Sequence, residues 1–336
     1  QPTDNAYLPV IRLHNIVFSP DYARDGTLFS SSWTHLLKSN DRGATWSQHV
    51  VGDPPPDTKL RQFIVALSPR YATDQTVFLG SLQGEVFIST EGGEEGTFVA
   101  LGSVGGPVRS LAVGPDYPDD PTLWAGTRNG TFVSIDGGRT WEASGPAGVS
   151  LLAVSPDYGR DGTVFSGSEA GLWVTRDRGE TWSIVAGDLI DQDSLIEAVA
   201  VSPAFADDGT VLVSVRGVGL LRSTDGGETF GLVAEQLNAD SHLIADFSRP
   251  SAAPIQFSPA FAEDRTIYAY AAETVLRSTD GGDTFDEVEL PDSAEFDSLT
   301  AQGATTQNGS TSPWTWVALA VAVVAAVAFV MVERRR

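Results

Sequence analysis

The sequence predicts an all-β protein: a six-bladed β-propeller of four-stranded blades, then a flexible linker and one C-terminal transmembrane helix. Three observations carry that expectation. An eight-residue box, SxDxGxTW, first met as SNDRGATW at Ser39 to Trp46, returns five more times along the 336 residues. A twelve-residue segment built on SPxYxxDxT precedes every box. Nineteen uncharged, mostly apolar residues stand immediately before a basic end. The resulting boundaries are 1–291 for the propeller, 292–313 for the linker, 314–332 for the span and 333–336 for the tail.

The first unit pairs FSPDYARDGTLF, from Phe18, with the box at Ser39. The second pairs LSPRYATDQTVF, from Leu67, with a degraded box, STEGGEEGTF, in which Glu91 replaces the Asp and two extra residues interrupt the spacing. VGPDYPDDPTLW from Val113 precedes the box at Ser134, and VSPDYGRDGTVF from Val154 precedes that at Thr175. VSPAFADDGTVL from Val201 and FSPAFAEDRTIY from Phe257 precede the last two, at Ser223 and Ser278. The period is about 41 to 56 residues, and the units tile the chain from about Ile11 to Leu290. Within one unit, LLAVS, GTVFSGS, GLWVTRD and TWSIVAG are four short runs rich in β-branched and aromatic residues, separated by turn-forming ones. Four strands at this period make one propeller blade, and roughly four to eight such blades close into a ring.

The box resembles the Asp-box, or BNR repeat, of sialidases, sortilin-type receptors, several glycoside hydrolases and photosystem assembly factors. The resemblance covers nearly all of residues 11–290. It implies a propeller, with each box at the hairpin between the third and fourth strands. There the Asp caps backbone N–H groups, Gly supplies a positive φ, and the Trp or Phe packs under the turn. Asp41, Asp136, Asp177, Asp225 and Asp280 are then turn staples, since six copies of a turn are expected in a ring and six copies of a catalytic centre are not. Tyr22, Tyr71, Tyr117 and Tyr158, in the segments joining first to second strands, read as structural too.

The span, WTWVALAVAVVAAVAFVMV from Trp314 to Val332, is the length a helix needs to cross a hydrocarbon layer of roughly 30 Å. A buried core helix is the competing reading of such a run, but no polar stripe divides this one and Arg334, Arg335 and Arg336 follow it closely. Those arginines stay cytoplasmic by the positive-inside tendency, with Trp314 and Trp316 at the opposite interface, which puts the propeller outside the cell. The start at Gln1 rather than Met predicts a signal peptide removed from this numbering. Residues 292–313, rich in Ser, Thr, Gly and Gln, read as a tether. Asn129 and Asn308 lie in NxS/T sequons.

The formal charge is −23, and the end from Glu333 to Arg336 carries +2, so the rest carries −25, which argues against a nucleic-acid partner. The chain has no Cys, which excludes disulfides, thiolate metal sites and a cysteine nucleophile. His14, His35, His49 and His242 show no metal-ligand spacing, and neither GxSxG nor a phosphate-cradling loop occurs. Acidic turns such as Asp157 to Asp161 lack the EF-hand pattern. No metal and no cofactor is expected.

With both repeated motifs on one face, function belongs to the opposite face, where connections differ between units. The longest, Ala234 to Pro254, is a candidate lid or docking loop. Six residues before the Pro of each SP or GP stand His14, Phe63, Arg109, Ser150, Glu197 and Ala253; eight before it, Arg12 and Arg61 occupy the first two units. Arg12, His14, Arg61, Arg109 and Glu197 form the candidate ligand-binding set, because converging guanidinium groups match carboxylate or phosphate. The competing reading pairs these arginines with Asp53, Asp57 or Glu197. The resemblance to sialidases implies an enzyme alternative with Tyr270 as nucleophile, Glu197 as its activator, Asp53 or Asp57 as acid, and Arg12 and Arg216 on a substrate carboxylate. Against it, VIRLHN lacks the Phe and Pro of the FRIP motif of that family. The sequence therefore points to a membrane-anchored binding or docking module, an accessory or assembly subunit whose partner is a protein or glycan at the cell surface or in a membrane complex. Hydrolysis of anionic surface glycans is the alternative.

Overall fold

The structure, a computed structural model, describes residues 16–31, 35–43, 45–51, 63–148, 151–190, 194–234, 255–258, 261–271 and 274–288. They form six four-stranded antiparallel sheets, the blades of a six-bladed β-propeller. Each sheet is a meander in which consecutive strands pair in chain order. The first holds β1 (Ile16–Phe18), β2 (Leu28–Ser31), β3 (His35–Ser39) and β4 (Ser47–Val50), and the second β5 (Phe63–Leu67), β6 (Val77–Ser81), β7 (Glu85–Ser89) and β8 (Val99–Ser103). The third holds β9 (Val108–Val113), β10 (Leu123–Thr127), β11 (Gly130–Ser134) and β12 (Glu142–Ala143). The fourth holds β13 (Leu151–Val154), β14 (Val164–Ser168), β15 (Gly171–Thr175) and β16 (Ser183–Val185). The fifth runs β17 (Ile196–Val201), β18 (Val211–Val215), β19 (Gly219–Ser223) and β20 (Gly231–Ala234), and the sixth β21 (Ile255–Phe257), β22 (Ile267–Ala271), β23 (Thr274–Ser278) and β24 (Asp286–Val288). The first three sheets fall in one compact unit and the last three in another.

The second strand of every sheet is the most apolar and the most buried. In β6, β10, β14 and β18 every residue is buried, as suits Val, Phe, Leu and Trp side chains packed on both faces. The cores lie between consecutive sheets. Phe29 and Leu36 of the first sheet pack with Phe63, Val65, Tyr71 and Val77 of the second. Phe78 and Val86 of the second pack with Val108, Leu111 and Leu123 of the third, and Leu212 and Leu220 of the fifth with Ile255, Phe261 and Ile267 of the sixth. Gly80 and Gly167 set the sheet spacing: a Cβ at Gly80 would lie 2.6 Å from Val108, and one at Gly167 2.7 Å from Ile196.

Where the sequence suggested only turn chemistry between first and second strands, five sheets have a one-turn helix. These are α1 (Tyr22–Asp25), α2 (Tyr71–Asp74), α3 (Tyr158–Asp161), α4 (Phe205–Asp208) and α5 (Phe261–Asp264). In the third sheet Pro118 and Pro121 interrupt the segment. The aromatic that opens each turn meets an aromatic on the second strand of the preceding sheet. Phe29 and Tyr71 pack edge to face at 5.5 Å between centroids, Phe78 and Tyr117 at 5.3 Å, and Phe165 and Phe205 at 6.0 Å. Charged ties follow the same sheet-to-sheet direction. Lys38 Nζ, buried over the Phe29 ring, donates to Glu94 Oε1 at 2.6 Å, and Arg222 reaches Asp283 and the Gly281 carbonyl.

No helix among the described residues is long and apolar enough to cross a membrane. The predicted span at 314–332, the linker at 292–313 and the long connection at 235–254 lie outside the described residues.

Replacing Phe165 by Ala removes a fully buried ring and its edge-to-face partner, and should cost about 3–4 kcal/mol in urea denaturation. Ser30→Ala, which removes a fully buried hydroxyl without a hydrogen-bond partner among the described residues, should be neutral or stabilise by up to about 1 kcal/mol in the same assay.

Candidate functional site

The repeated box is a hydrogen-bonded turn joining the third strand to the fourth. The hydroxyl of Ser39, Ser134, Thr175, Ser223 or Ser278 donates to the carboxylate two residues on, at 2.7–2.8 Å. The same hydroxyl accepts the N–H of Gly43, Gly138, Gly179, Gly227 or Gly282 at 2.8–2.9 Å. Each carboxylate then accepts both the backbone N–H and the hydroxyl of the box Thr, the N–H at 2.8–3.0 Å. Those glycines have φ between 76° and 93° or close to it, with Gly43 at 90° and Gly138 at 91°. In the degraded box Glu91 does not fill the Asp position: Ser89 and Thr97 share a hydroxyl–hydroxyl bond of 2.6 Å instead.

These bonds favour the ionised carboxylate. The Thr140, Thr181 and Thr229 hydroxyls hold Asp136, Asp177 and Asp225 at about 2, against an ordinary 3.8. Asp280 is lowered further, by Thr284 first. At Asp41 partial burial pushes the other way, but the bonds from Thr45 and Ser39 together outweigh it.

A second carboxylate staple, which was not singled out from the sequence, lies in the SPxYxxDxT segment. Asp25, Asp74, Asp161, Asp208 and Asp264 each accept a hydroxyl proton from the Ser six residues earlier, at 2.5–2.8 Å, and the N–H of the Thr two residues later, at 2.7–2.9 Å. Asp120 takes the Thr122 N–H in the third sheet, where Gly114 replaces the Ser. The signal was in the repeat, because that Asp recurs in all six segments. The two motifs also meet. A box N–H donates to the carbonyl that closes the preceding turn in every sheet, from Arg42 to Gly26 (3.0 Å) through Gly281 to Arg265 (2.9 Å). Both repeated motifs therefore occupy one end of each sheet.

The opposite end is where the sheets differ. In β9 the pairing with β10 slips between Ser110↔Gly126 and Val108↔Thr127, leaving Arg109 as the extra, bulged residue. In β17 it slips between Ile196↔Val215 and Ala198↔Ser214, leaving Glu197 in the same position. A bulge re-aims its side chain and bends the strand. In the second sheet Phe63 pairs regularly with Ser81. Glu197 is 3% exposed and accepts a 2.7 Å bond from Arg216 Nε, so this arginine is brought together with a candidate carboxylate inside one sheet. Arg109 is partly buried on the inner strand of the third sheet.

Tyr270 pairs with Val275 in β22, the position held by Ser31, Gly80, Gly126, Gly167 and Ser214 in the other sheets. Arg12, His14, Arg61, Asp53 and Asp57 lie outside the described residues. Among the described residues no group of three or more His, Asp or Glu is placed to hold a metal ion.

No protein-family model matches the sequence, and no curated protein matches it. Solved structures do. The chain is similar to a structure described as YCF48 bound to D1 peptide, with 15% identity, TM-score 0.57, and 83% of this chain and 82% of that one covered. It is similar to YCF48 from Cyanidioschyzon merolae at 16% identity and TM-score 0.58, covering 83% of this chain and 86% of that. It is also similar to the GH74 enzyme of Niastella koreensis at 15% identity and TM-score 0.59, covering 82% of this chain and 45% of that. At these identities the likeness is one of fold.

The box carboxylates have folded-state values below their unfolded ones. Their contribution is fully present above about pH 4 and is lost as pH falls towards 2. Thermal unfolding followed from pH 6 to 2 should show the midpoint dropping through that window. Asp136→Asn should lower the midpoint at pH 6 and flatten the acid limb.

Proposed function

We propose that this chain is a docking module that binds a protein partner through the end of its blades away from the boxes. The observation that carries this reading is the contrast between the two ends. Hydroxyl, carboxylate and backbone bonds repeat at one end of the sheets, while at the other the bulges aim Arg109 in one unit and Glu197 in the other. A turn staple repeated in every sheet leaves little room for a unique partner; unlike side chains on a rigid scaffold are what recognition needs.

The similar structures support a binding role by analogy. One is a YCF48 described with a bound D1 peptide, and another is the extracellular domain of a putative one-component system from B. thetaiotaomicron, at 16% identity and TM-score 0.53 with 80% of this chain and 32% of that one covered. Glu197 supports docking over hydrolysis for a chemical reason: its carboxylate is buried against the Arg216 guanidinium, which stabilises the anion and makes it a poor acceptor for a tyrosine proton. In this reading the helix at 314–332 anchors the chain, the linker at 292–313 holds the propeller off the bilayer on the extracytoplasmic side, and the partner is a surface or membrane-complex protein to which this chain is an accessory or assembly subunit.

A photoreactive residue placed at Glu169, exposed in the turn between β14 and β15, should cross-link a stoichiometric partner in the native membrane. The same residue at Glu228, exposed in a box of the same unit, should not. Cross-links from position 228 alone would put the partner on the stapled end and sink this reading.

A further inference from the structure

The fifth sheet handles its outer turn differently from its neighbours. In the second, third and fourth sheets a hydroxyl closes the turn between second and third strands: Ser81, Thr127 and Ser168 each accept an N–H two residues on, from Gln83, Asn129 and Ala170. The fifth sheet has Val215 there and has no hydroxyl to offer. Its turn is held instead by Arg216, whose backbone N–H donates to the Leu195 carbonyl at 2.8 Å. That bond draws Arg216 over the start of β17, where the bulge delivers Glu197. The side-chain bond from Nε to Glu197 Oε1 follows, with the carboxylate 3% exposed and the Arg side chain 39% exposed.

A guanidinium gripped along its Nε edge by a buried carboxylate cannot swing about its long stem. Its plane is fixed before any ligand arrives, which removes most of the ordering cost that makes exposed arginines weak anion receptors. The buried partner also sets the ligand's charge. Together Glu197 and Arg216 are neutral, so an incoming dianion would feel the Glu197 charge through a poorly screened interior, on a chain already at −23. A monoanion with two coplanar oxygens fits both the fork and the field.

We infer that Arg216, held in place by Glu197, is a recognition point for a single carboxylate group on the docked partner. This rests on the docking reading and names the chemistry of the contact. Arg216 is the contact residue and Glu197 its positioning residue.

The test is a titration of the full chain in mild detergent, reading the Arg216 Nε–H signal by NMR, assigned by its disappearance in Arg216→Lys. Sodium acetate should shift it saturably, while sodium chloride at equal ionic strength should not, and inorganic phosphate should act more weakly than acetate. Glu197→Gln, which keeps the side chain's shape, should weaken the acetate response about tenfold while the other arginine signals stay in place. If that variant does not fold, the wild-type comparison of acetate, chloride and phosphate still decides. An equal response to chloride, a stronger one to phosphate, or a folded Glu197→Gln that binds acetate as well as wild type would overturn the inference. Should acetate leave Arg216 untouched while the cross-link from position 169 persists, the carboxylate contact falls and the docking reading stands. Loss of that cross-link with the acetate response intact would do the reverse.

Discussion

The hydrogen bond from a box N–H to the carbonyl closing the preceding turn is the constraint on which each sheet depends. It ties the first hairpin to the second at one end, as in Arg178 to Gly162 at 3.1 Å and Gly226 to Gly209 at 3.0 Å. The two carboxylate staples hold the partners of that bond: the box Asp shapes the donor turn, and the Asp of the SPxYxxDxT segment shapes the acceptor turn. With both turns fixed, the aromatic at the head of the short helix has one direction available, outward onto the preceding sheet, where Phe29, Phe78 or Phe165 receives it. Local polar bonds thus fix a tertiary hydrophobic contact, and the order of causes runs from turn to sheet to core.

That order explains how much was legible in the sequence. Turns built from Ser, Asp, Gly and Thr at fixed offsets depend on local chemistry, so the repeated box and the four strands around it could be read without a structure. Charged position six before the Pro could be read too, because Arg109 and Glu197 break the repeat. The bulges beneath them could not. A slip in register is decided by how β9 meets β10 and β17 meets β18, a relation between strands that no local pattern encodes. The pairing of Glu197 with Arg216 depends on that slip and on the missing hydroxyl at Val215, so the sequence placed both residues among the candidates without placing them together. The Asp of the SPxYxxDxT segment was missed for a different reason: attention to the neighbouring Tyr hid a carboxylate that recurs as regularly.

The degraded second box shows which part of the motif the fold requires. Glu91 stands where the others have Asp, yet the turn forms, because the Ser89 hydroxyl still accepts the Gly93 N–H at 3.1 Å and Thr97 bonds directly to that hydroxyl. The hydroxyl is the hub and the carboxylate a reinforcement. Glu94, in the stretch that the two extra residues lengthen, turns to Lys38 of the preceding sheet, and Asp283 meets Arg222 in the equivalent way. Divergence within the repeat has been used to fasten one sheet to the next.

The seat of Lys38 reaches beyond stability. Lys38 and Lys59 are the only lysines in the chain, and Lys38 is 6% exposed with its ammonium on Glu94. A charged, enclosed amine is a poor nucleophile and is closed to acylating reagents. Lysine-directed biotin, dyes or sensor-chip coupling will therefore find Lys59 as their lysine target. The position where such a tag sits is already chosen by the protein: next to Arg61, in the connection between the first and second sheets.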